Sequence, residues 1–325
     1  MKNPCKLTTM VWLVTFLISG CSTVKVPMTV THPAEINMSK YKQIAISNID
    51  GNMSRLFVDD LKGRIIDSGR FTLVDRNRLD EVMRELNLSN SDLAQTDKAA
   101  KLGNLLPATA IITGRYDGDY KENTEASNAV CYKNNVKYNC INNTRNGKFS
   151  TSGSIDVIDV STGEIKKSKR LANTCEDNTS ATDETPPAID RDALVGKCLN
   201  QGLDAFFKAI SAWSEVVAAP FMKDGDIPDL EVGINTAKVG DMEGAIAIFQ
   251  KAIKNSELNP NVKPKVIAKA YWDLGLAFQY SDKFNQAADA FKKSYTLEPS
   301  DECMNELKHC EVLKNEKRKL AEQMK

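Results

Sequence analysis

The sequence predicts an α/β sandwich, a mixed sheet flanked by helices, followed by an all-α helical-repeat domain. Three observations carry this. Strand-like and helix-like runs alternate from about residue 41 to residue 120, after which the pattern turns to β and closes on one amphipathic helix. In the last third, a helical pattern with glycine, alanine and phenylalanine at matching places occurs twice. At 325 residues the chain is long enough for two ordinary domains.

The first element is a leader. From Leu7 to Ile18 the chain is mostly apolar, preceded by Lys2 and Lys6. A run of roughly a dozen residues is too short to cross ~30 Å of hydrocarbon, which takes about 20. Followed by small residues, it reads as a secretory signal over residues 1–20. Its end, Ile18-Ser19-Gly20-Cys21, resembles the bacterial lipobox. That resemblance implies cleavage before Cys21 and acylation of its sulfur and amine, and several acyl chains hold a protein to a bilayer without a spanning helix. Ser22 rather than Asp follows, which by the same resemblance implies delivery to the outer membrane. Residues 21–40 are expected to be a polar tether, reaching up to ~65 Å at full stretch.

Tyr41–Ile49 then reads as a buried strand ending at an Asp50-Gly51 turn. A helix follows with Leu56, Phe57, Leu61, Ile65 and Ile66 at helical spacing and Gly69 as its stop signal. "RFTLVDR" is a short strand. "NRLDEVMREL" is a helix with Asn77 as N-cap and Leu79, Val82, Met83 and Leu86 on one face. "TDKAAKLGNLL" is a third helix and "TAIITGRYDGDY" a third strand. After Tyr120 the texture is β, with Ile155, Val157 and Val160 apolar before a Thr162-Gly163 turn, and "RDALVGKCLNQGLDAFFKAISAW" closes the domain.

The runs "KQIAISNI", "GRFTLVDRNRLDEVMREL", "AAKLGNLLPATAIITG" and "IDVIDVSTGEI" stand in the order of the CsgG-like family, which this region, residues 41–215, resembles. The family comprises periplasmic domains of outer-membrane lipoproteins, the curli secretion channel among them. It implies envelope assembly: export of a surface polymer or activation of a wall-building enzyme. The same apolar residues are also simply core, and a fold does not by itself assign a function. A channel of this type builds a barrel from hairpins given by each subunit, with strands of about 9–11 residues carrying an outward apolar face. The segments "ENTEASNAV", "CYKNNVKYNC" and "EIKKSKRLANTC" read as short, charged or cysteine-bearing, so no pore is expected.

With Cys5 in the leader and Cys21 committed to lipid, six cysteines remain: Cys131, Cys140, Cys175, Cys198, Cys303 and Cys310. An even set suits an oxidising compartment. Cys131 and Cys140 flank an Asn134-Asn135 turn and are expected to face each other across a hairpin; Cys175 and Cys198 bracket a polar loop and make a second pair. Cys303 and Cys310 would lie ~10 Å apart on a continuous helix, beyond disulfide reach, and pair only if the helix breaks.

In the C-terminal part, residues 229–325, Gly233 aligns with Gly275, Ala245 with Ala287 and Phe249 with Phe291. Tyr271, Leu274, Gly275, Phe278, Ala287, Phe291 and Pro299 resemble the tetratricopeptide signature. Small residues let two helices approach, aromatics fill the gap, and Pro299 ends the second helix. The resemblance implies a concave surface that docks a periplasmic or outer-membrane protein, with self-association as the other use of such an array. The last helix is expected to cap the stack.

Little in the sequence points to catalysis. There is no phosphate loop, no G-x-S-x-G elbow and no H-E-x-x-H helix, and the two histidines, His32 and His309, are far apart in the chain. No metal site or cofactor is expected: Asp224, Asp226 and Asp229 only loosely suggest calcium, with Pro228 where an acceptor would be needed. Without the leader the chain carries 41 basic and 43 acidic side chains, which gives no support for nucleic-acid binding. The sequence therefore reads as a non-enzymatic envelope protein, held to the membrane through Cys21, with an oligomeric channel subunit as the alternative.

Overall fold

The computed structural model describes residues 22–86, 88, 101–102, 105 and 109–324. The leader, Ile18, Ser19, Gly20 and Cys21, and most of the third expected helix lie outside the described residues. Two compact units divide the chain: residues 31–213 with 318–325, and residues up to 30 with 214–317.

The described chain opens on strand β1 (Ser22–His32), so the first half of the expected tether is ordered. Its physical cause is an alternation that the polar composition masks. Val24, Val26, Met28 and Val30 recur at period two, and Val26 and Met28 are buried. Pro27 is exposed, a position a strand tolerates where its nitrogen need not donate. Residues 33–40 are not free either. Met38 lies in the core, Ile36 N–H donates to the Ala209 carbonyl at 3.1 Å, and Glu35 pairs with Lys167 and Lys169.

In the α/β unit, β2 (Gln43–Asp50), β3 (Thr72–Val74), β4 (Thr109–Lys133), β5 (Val136–Asp159) and β6 (Ile165–Thr182) form one sheet in the order β3-β2-β4-β5-β6. β2 runs parallel to β3 and β4, and β4–β5 and β5–β6 are antiparallel, so the sheet is mixed and open rather than a barrel. Helix α1 (Ser54–Asp67), over β2, β3 and β4, and helix α3 (Arg191–Ile210), over β5 and β6, cover one face. Phe57, Leu61 and Ile65 of α1 and Leu203, Phe206 and Ile210 of α3 bury against Ile112, Tyr116 and Val157. Leu56 and Ile66, expected on the same stripe, are exposed: burial follows the narrow i, i+4 row. Asp190 caps α3, its carboxylate accepting from Ala193 N–H at 2.9 Å.

Helix α2 (Arg76–Glu85) packs Leu79 and Met83 with Ile111, Ile158 and Val160 of the other face, so helices flank the sheet on both sides. Asp75, not Asn77, supplies the turn-forming oxygen at its start, accepting from Asn77 N–H at 2.9 Å. A polar lock closes the end of β5. The Asp159 carboxylate is buried and takes hydrogen bonds from Lys40, from the Tyr41 hydroxyl at 3.0 Å and from Ser161. Burial opposes its charge, but those donors outweigh it and hold the carboxyl well below the usual range.

In the helical unit β1 pairs with β7 (Trp213–Lys223), a strand the sequence reading missed. Five helices follow: α4 (Asp229–Lys238), α5 (Met242–Glu257), α6 (Pro264–Gln279), α7 (Phe284–Leu297) and α8 (Asp301–Gln323). Val26, Met28 and Phe221 from the two strands share a core with Leu230, Phe249, Trp272 and Phe291. The repeat is visible in atoms. A Cβ on Gly233 would overlap the Phe249 ring, and one on Gly275 would come within 2.6 Å of the Phe291 ring. Each pair lies sixteen residues apart in sequence, and in each the bare glycine lets a phenylalanine of the next helix lie flat on the backbone. The last residues, 318–325, cluster with the α/β unit. There the Gln323 amide exchanges two 2.9 Å hydrogen bonds with the backbone of Ala34.

Candidate functional site

Two features stand out from this scaffold, a groove in the helical unit and an arm of the sheet. The groove, of about 850 Å³, is walled by the turn after β7, the start of α6 and the α7–α8 junction. Its floor carries Val266, Ala268 and Trp272, the last fixed by its indole N–H donating to the Pro220 carbonyl at 2.8 Å. Across it Lys269 Nζ meets Asp224 Oδ2 at 2.8 Å, with both side chains largely buried. Burial raises the Asp224 pKa, but the bonds from Lys269 and from Asp226 N–H outweigh it, so the net shift is downward. Lys263 and Lys265 on one wall and Glu298 and Glu302 on the other leave charge of both signs at the rim. Such a mixed, half-apolar trough suits a peptide segment rather than a compact anion.

None of Tyr271, Leu274, Gly275, Phe278, Ala287, Phe291 and Pro299 lines the groove. Leu274, Phe278, Ala287 and Phe291 are buried between helices; Tyr271 is half-buried with its hydroxyl 2.7 Å from Glu257, and Pro299 is exposed just past the end of α7. These residues build the helix pairs, and the lining falls to neighbours that the signature does not contain. The missed signal was local: Lys263, Lys265 and Lys269 recur around Pro264, beside a tryptophan.

The arm corrects the sequence reading. The segments that are short by sequence pattern are parts of continuous strands of 25, 24 and 18 residues. β4 parts from β2 after Arg115 and runs on with β5 and β6, the latter pairing up to Asn142↔Thr182. From Lys121 to Lys133 it extends roughly 40 Å at ~3.3 Å per residue. The length was illegible because from Lys121 to Ala129 β4 carries no large apolar residue, leaving no alternation to join its base to its tip. One face shows Asn123, Asn146 and Asn178 in a row; the other carries Glu122 paired with Arg145 at 3.0 Å. Residues 183–190 strap that second face. Asn143 donates to the Glu184 carbonyl at 2.9 Å, Thr179 to the Pro187 carbonyl at 2.6 Å, and Ile189 packs over Gly147.

Two disulfides brace this region. Cys131–Cys140 joins diagonal neighbours on one face at the hairpin end, Cα atoms 5.8 Å apart, where Asn134 and Asn135 make the turn at φ 51° and 63°. Cys175–Cys198 ties β6 to α3, Cα atoms 5.6 Å apart, beside Phe149 and Leu194. Cys303 and Cys310 do not pair: α8 runs unbroken through both, and each is a buried thiol. Burial and the nearby Glu306 push the Cys310 thiol up to about 12, so it stays protonated and unreactive. Among the described residues no helix is long and apolar enough to cross a membrane, and no three His, Cys, Asp or Glu side chains group as metal ligands would.

A family model described as the curli production assembly/transport component CsgG matches residues 25–227, more than half of the chain. The chain is similar in part to two solved structures. The LpoB C-terminal domain from Salmonella enterica is 18% identical and covers 43% of this chain and 95% of its own, at a TM-score of 0.24. The lipoprotein GNA1162 from Neisseria meningitidis is 10% identical, with 49% and 96% covered, also at 0.24. At that score neither carries an argument about function. No curated protein matches the chain.

Proposed function

Since the chain belongs to the CsgG family, we propose that it is a non-enzymatic assembly factor of the cell envelope, docking a periplasmic or outer-membrane protein in the groove of its helical unit. In this reading residues 1–20 are a signal removed on export, and Cys21 is acylated and anchors the chain to the periplasmic face of the outer membrane. The α/β unit is the body, and the helices over 229–325 act as a tetratricopeptide-like array. The observation that carries the docking role is the groove itself, half apolar and rimmed by both charges, on helices held together by the repeated glycine–phenylalanine contact. Because Ser22 already belongs to β1, an anchor at Cys21 leaves no tether before the folded chain. The ~65 Å reach expected of an extended segment does not apply. The helical unit, which holds residues 22–30, would work close to the bilayer.

A photo-crosslinking residue placed at Lys265 tests the docking. It is expected to capture one defined envelope protein in living cells, while the same residue at Lys254, away from the groove, captures none. Equal capture from both positions would overturn the reading.

A second reading, an oligomeric channel subunit, is favoured by one observation. Among the described residues the outer edges of β4 beyond Arg115 and of β6 carry no partner strand, so the arm offers two free edges for pairing with further copies. Three strands per subunit argue against it, because joining β6 to the next β4 is a parallel pairing, and membrane barrels are antiparallel. So does the chemistry of the arm, with the Glu122–Arg145 pair under the strap where lipid would lie. Native mass separates the readings. The lipidated protein in mild detergent and a Cys21→Ser form should both run as monomer or dimer; a large ring from the lipidated form would establish the channel instead.

A further inference from the structure

The end of the β4–β5 hairpin has a composition that the rest of the arm lacks. No aspartate or glutamate occurs from Ala126 to Arg145, whereas Lys133 and Lys137 flank the turn. Over the same stretch Val130, Tyr132, Val136, Tyr138 and Ile141 are exposed, Tyr132 by 70% and Val136 by 67%. The pairing Cys131↔Tyr138, Tyr132↔Lys137 and Lys133↔Val136 distributes them over both sides of the ribbon. Tyr138 and Val136 share the side of the disulfide, and Val130, Tyr132 and Ile141 take the other. A hairpin end surrounded by water needs none of these groups, and large exposed apolar clusters mark interaction sites. The end is also rigid beyond what a turn requires, since a disulfide and two left-handed asparagines fix it. Preorganisation of that kind lowers the cost of binding.

The shape and charge select the occupant. β6 stops at Thr182, opposite Asn142, and Asp183 still holds Ile141, its N–H donating to the Ile141 carbonyl and its carboxylate accepting from the Ile141 N–H, each at 2.8 Å, so the ribbon is two-stranded only beyond Ile141. A thin wedge that is apolar on both sides fits a medium that can close around it, and its two lysines with no acid fit phosphate. Tyrosine settles at the headgroup level of a bilayer, and lysine extends toward its phosphates. The apolar stretch from Val130 to Tyr132 and back from Val136 to Tyr138 is roughly 10 Å deep at ~3.3 Å per residue. That is far short of ~30 Å of hydrocarbon. Asp183 beside Ile141, and Glu125 lower on β4, set a polar limit to entry. We propose that the disulfide-braced end of the β4–β5 hairpin, Val130 to Cys140, inserts into the headgroup layer of an anionic phospholipid surface. This contact does not depend on Cys21 or on the groove, and it dips into a bilayer without crossing it.

The test uses residues 22–325, which carry no acylation site, with vesicles of phosphatidylethanolamine and phosphatidylglycerol or of phosphatidylcholine alone. The protein is expected to co-float with the anionic vesicles and to bind phosphatidylcholine about 30-fold more weakly, as about two lysine contacts imply. Lys133→Gln/Lys137→Gln should bring binding on anionic vesicles down to the phosphatidylcholine level. Tyr132→Ser/Val136→Ser should weaken binding to both vesicles at least tenfold. Tryptophan at the tip, Val136→Trp, should shift its emission to the blue on adding anionic vesicles, while Thr124→Trp, lower on β4, should not. Absence of binding at low salt, or unchanged binding by both double variants, overturns the proposal. So does a blue shift of Val136→Trp without lipid accompanied by a doubled mass, which would make the tip an interface between copies.

Discussion

Asp273 is the most unusual single residue. It has no exposure, its Oδ1 accepts from Met222 N–H at 2.8 Å, and its Oδ2 meets no partner. Burial raises its pKa well above the ordinary carboxylate value, against smaller opposing effects from that hydrogen bond and from Lys269. The native state therefore keeps a proton that the unfolded chain releases above pH ~4, and stability falls as pH rises from there toward the native pKa. Asp273→Asn removes this titration. Its unfolding free energy should lose less between pH 5 and pH 8 than that of the unaltered chain, as read by urea denaturation at each pH; equal slopes would mean that Asp273 is ionised in the fold. Gly233 and Gly275 make a second residue-scale case. Gly275→Ala should destabilise the helical unit by about 1–3 kcal/mol through overlap with Phe291, and Gly233→Ala similarly through Phe249. Both glycines and both rings were legible as a repeat, because the spacing of small and aromatic residues is a direct image of the contact. Asp273 was not legible, since burial of one carboxylate leaves no mark on a helical pattern.

At the scale of elements, the two disulfides do different work. Cys175–Cys198 closes a longer loop and joins strand to helix inside a packed cluster. Its removal by Cys175→Ala/Cys198→Ala should cost roughly 3 kcal/mol of global stability. Cys131–Cys140 braces a hairpin end outside the core. Cys131→Ser/Cys140→Ser should leave the melting temperature nearly unchanged and speed amide exchange only around residues 128–142. Exchange that spreads into β5 near Phe149 would show that the arm and the core open together. The elements also mark where sequence reading fails. Buried β2 and amphipathic α3 announce themselves by their apolar pattern. The outer parts of β4, β5 and β6 do not, because a ribbon held by backbone hydrogen bonds and solvated on one face and strapped by polar chain on the other has no apolar period. β1 was legible in principle: Val24, Val26, Met28 and Val30 alternate, and only the surrounding threonines and Pro27 hid the strand.

For the whole molecule, the mixed sheet followed by a run of helices was readable from the order of patterns. How the chain is shared between units was not, since nothing in residues 22–32 names a partner almost two hundred residues away. The pairing of β1 with β7 makes a prediction at this scale. A fragment covering 214–325 should melt below the helical unit of the full chain, because Phe221 and its neighbours lose Val26 and Met28. Adding a peptide of residues 22–32 should raise its midpoint by several degrees in a concentration-dependent way. An unchanged midpoint would show that β1 contributes nothing to that core. The same pairing sets an order of events at the ribosome. All of the α/β unit but residues 318–325 is encoded between the two strands, so β1 leaves the exit tunnel long before β7 exists. At about 5–20 residues per second that interval is on the order of 10–40 s. During it an eleven-residue strand with valines and a methionine on one side has to be kept soluble without its mate. A chaperone that holds the nascent N-terminus during export would therefore matter more for the yield of this protein than for one whose domains are completed one after another.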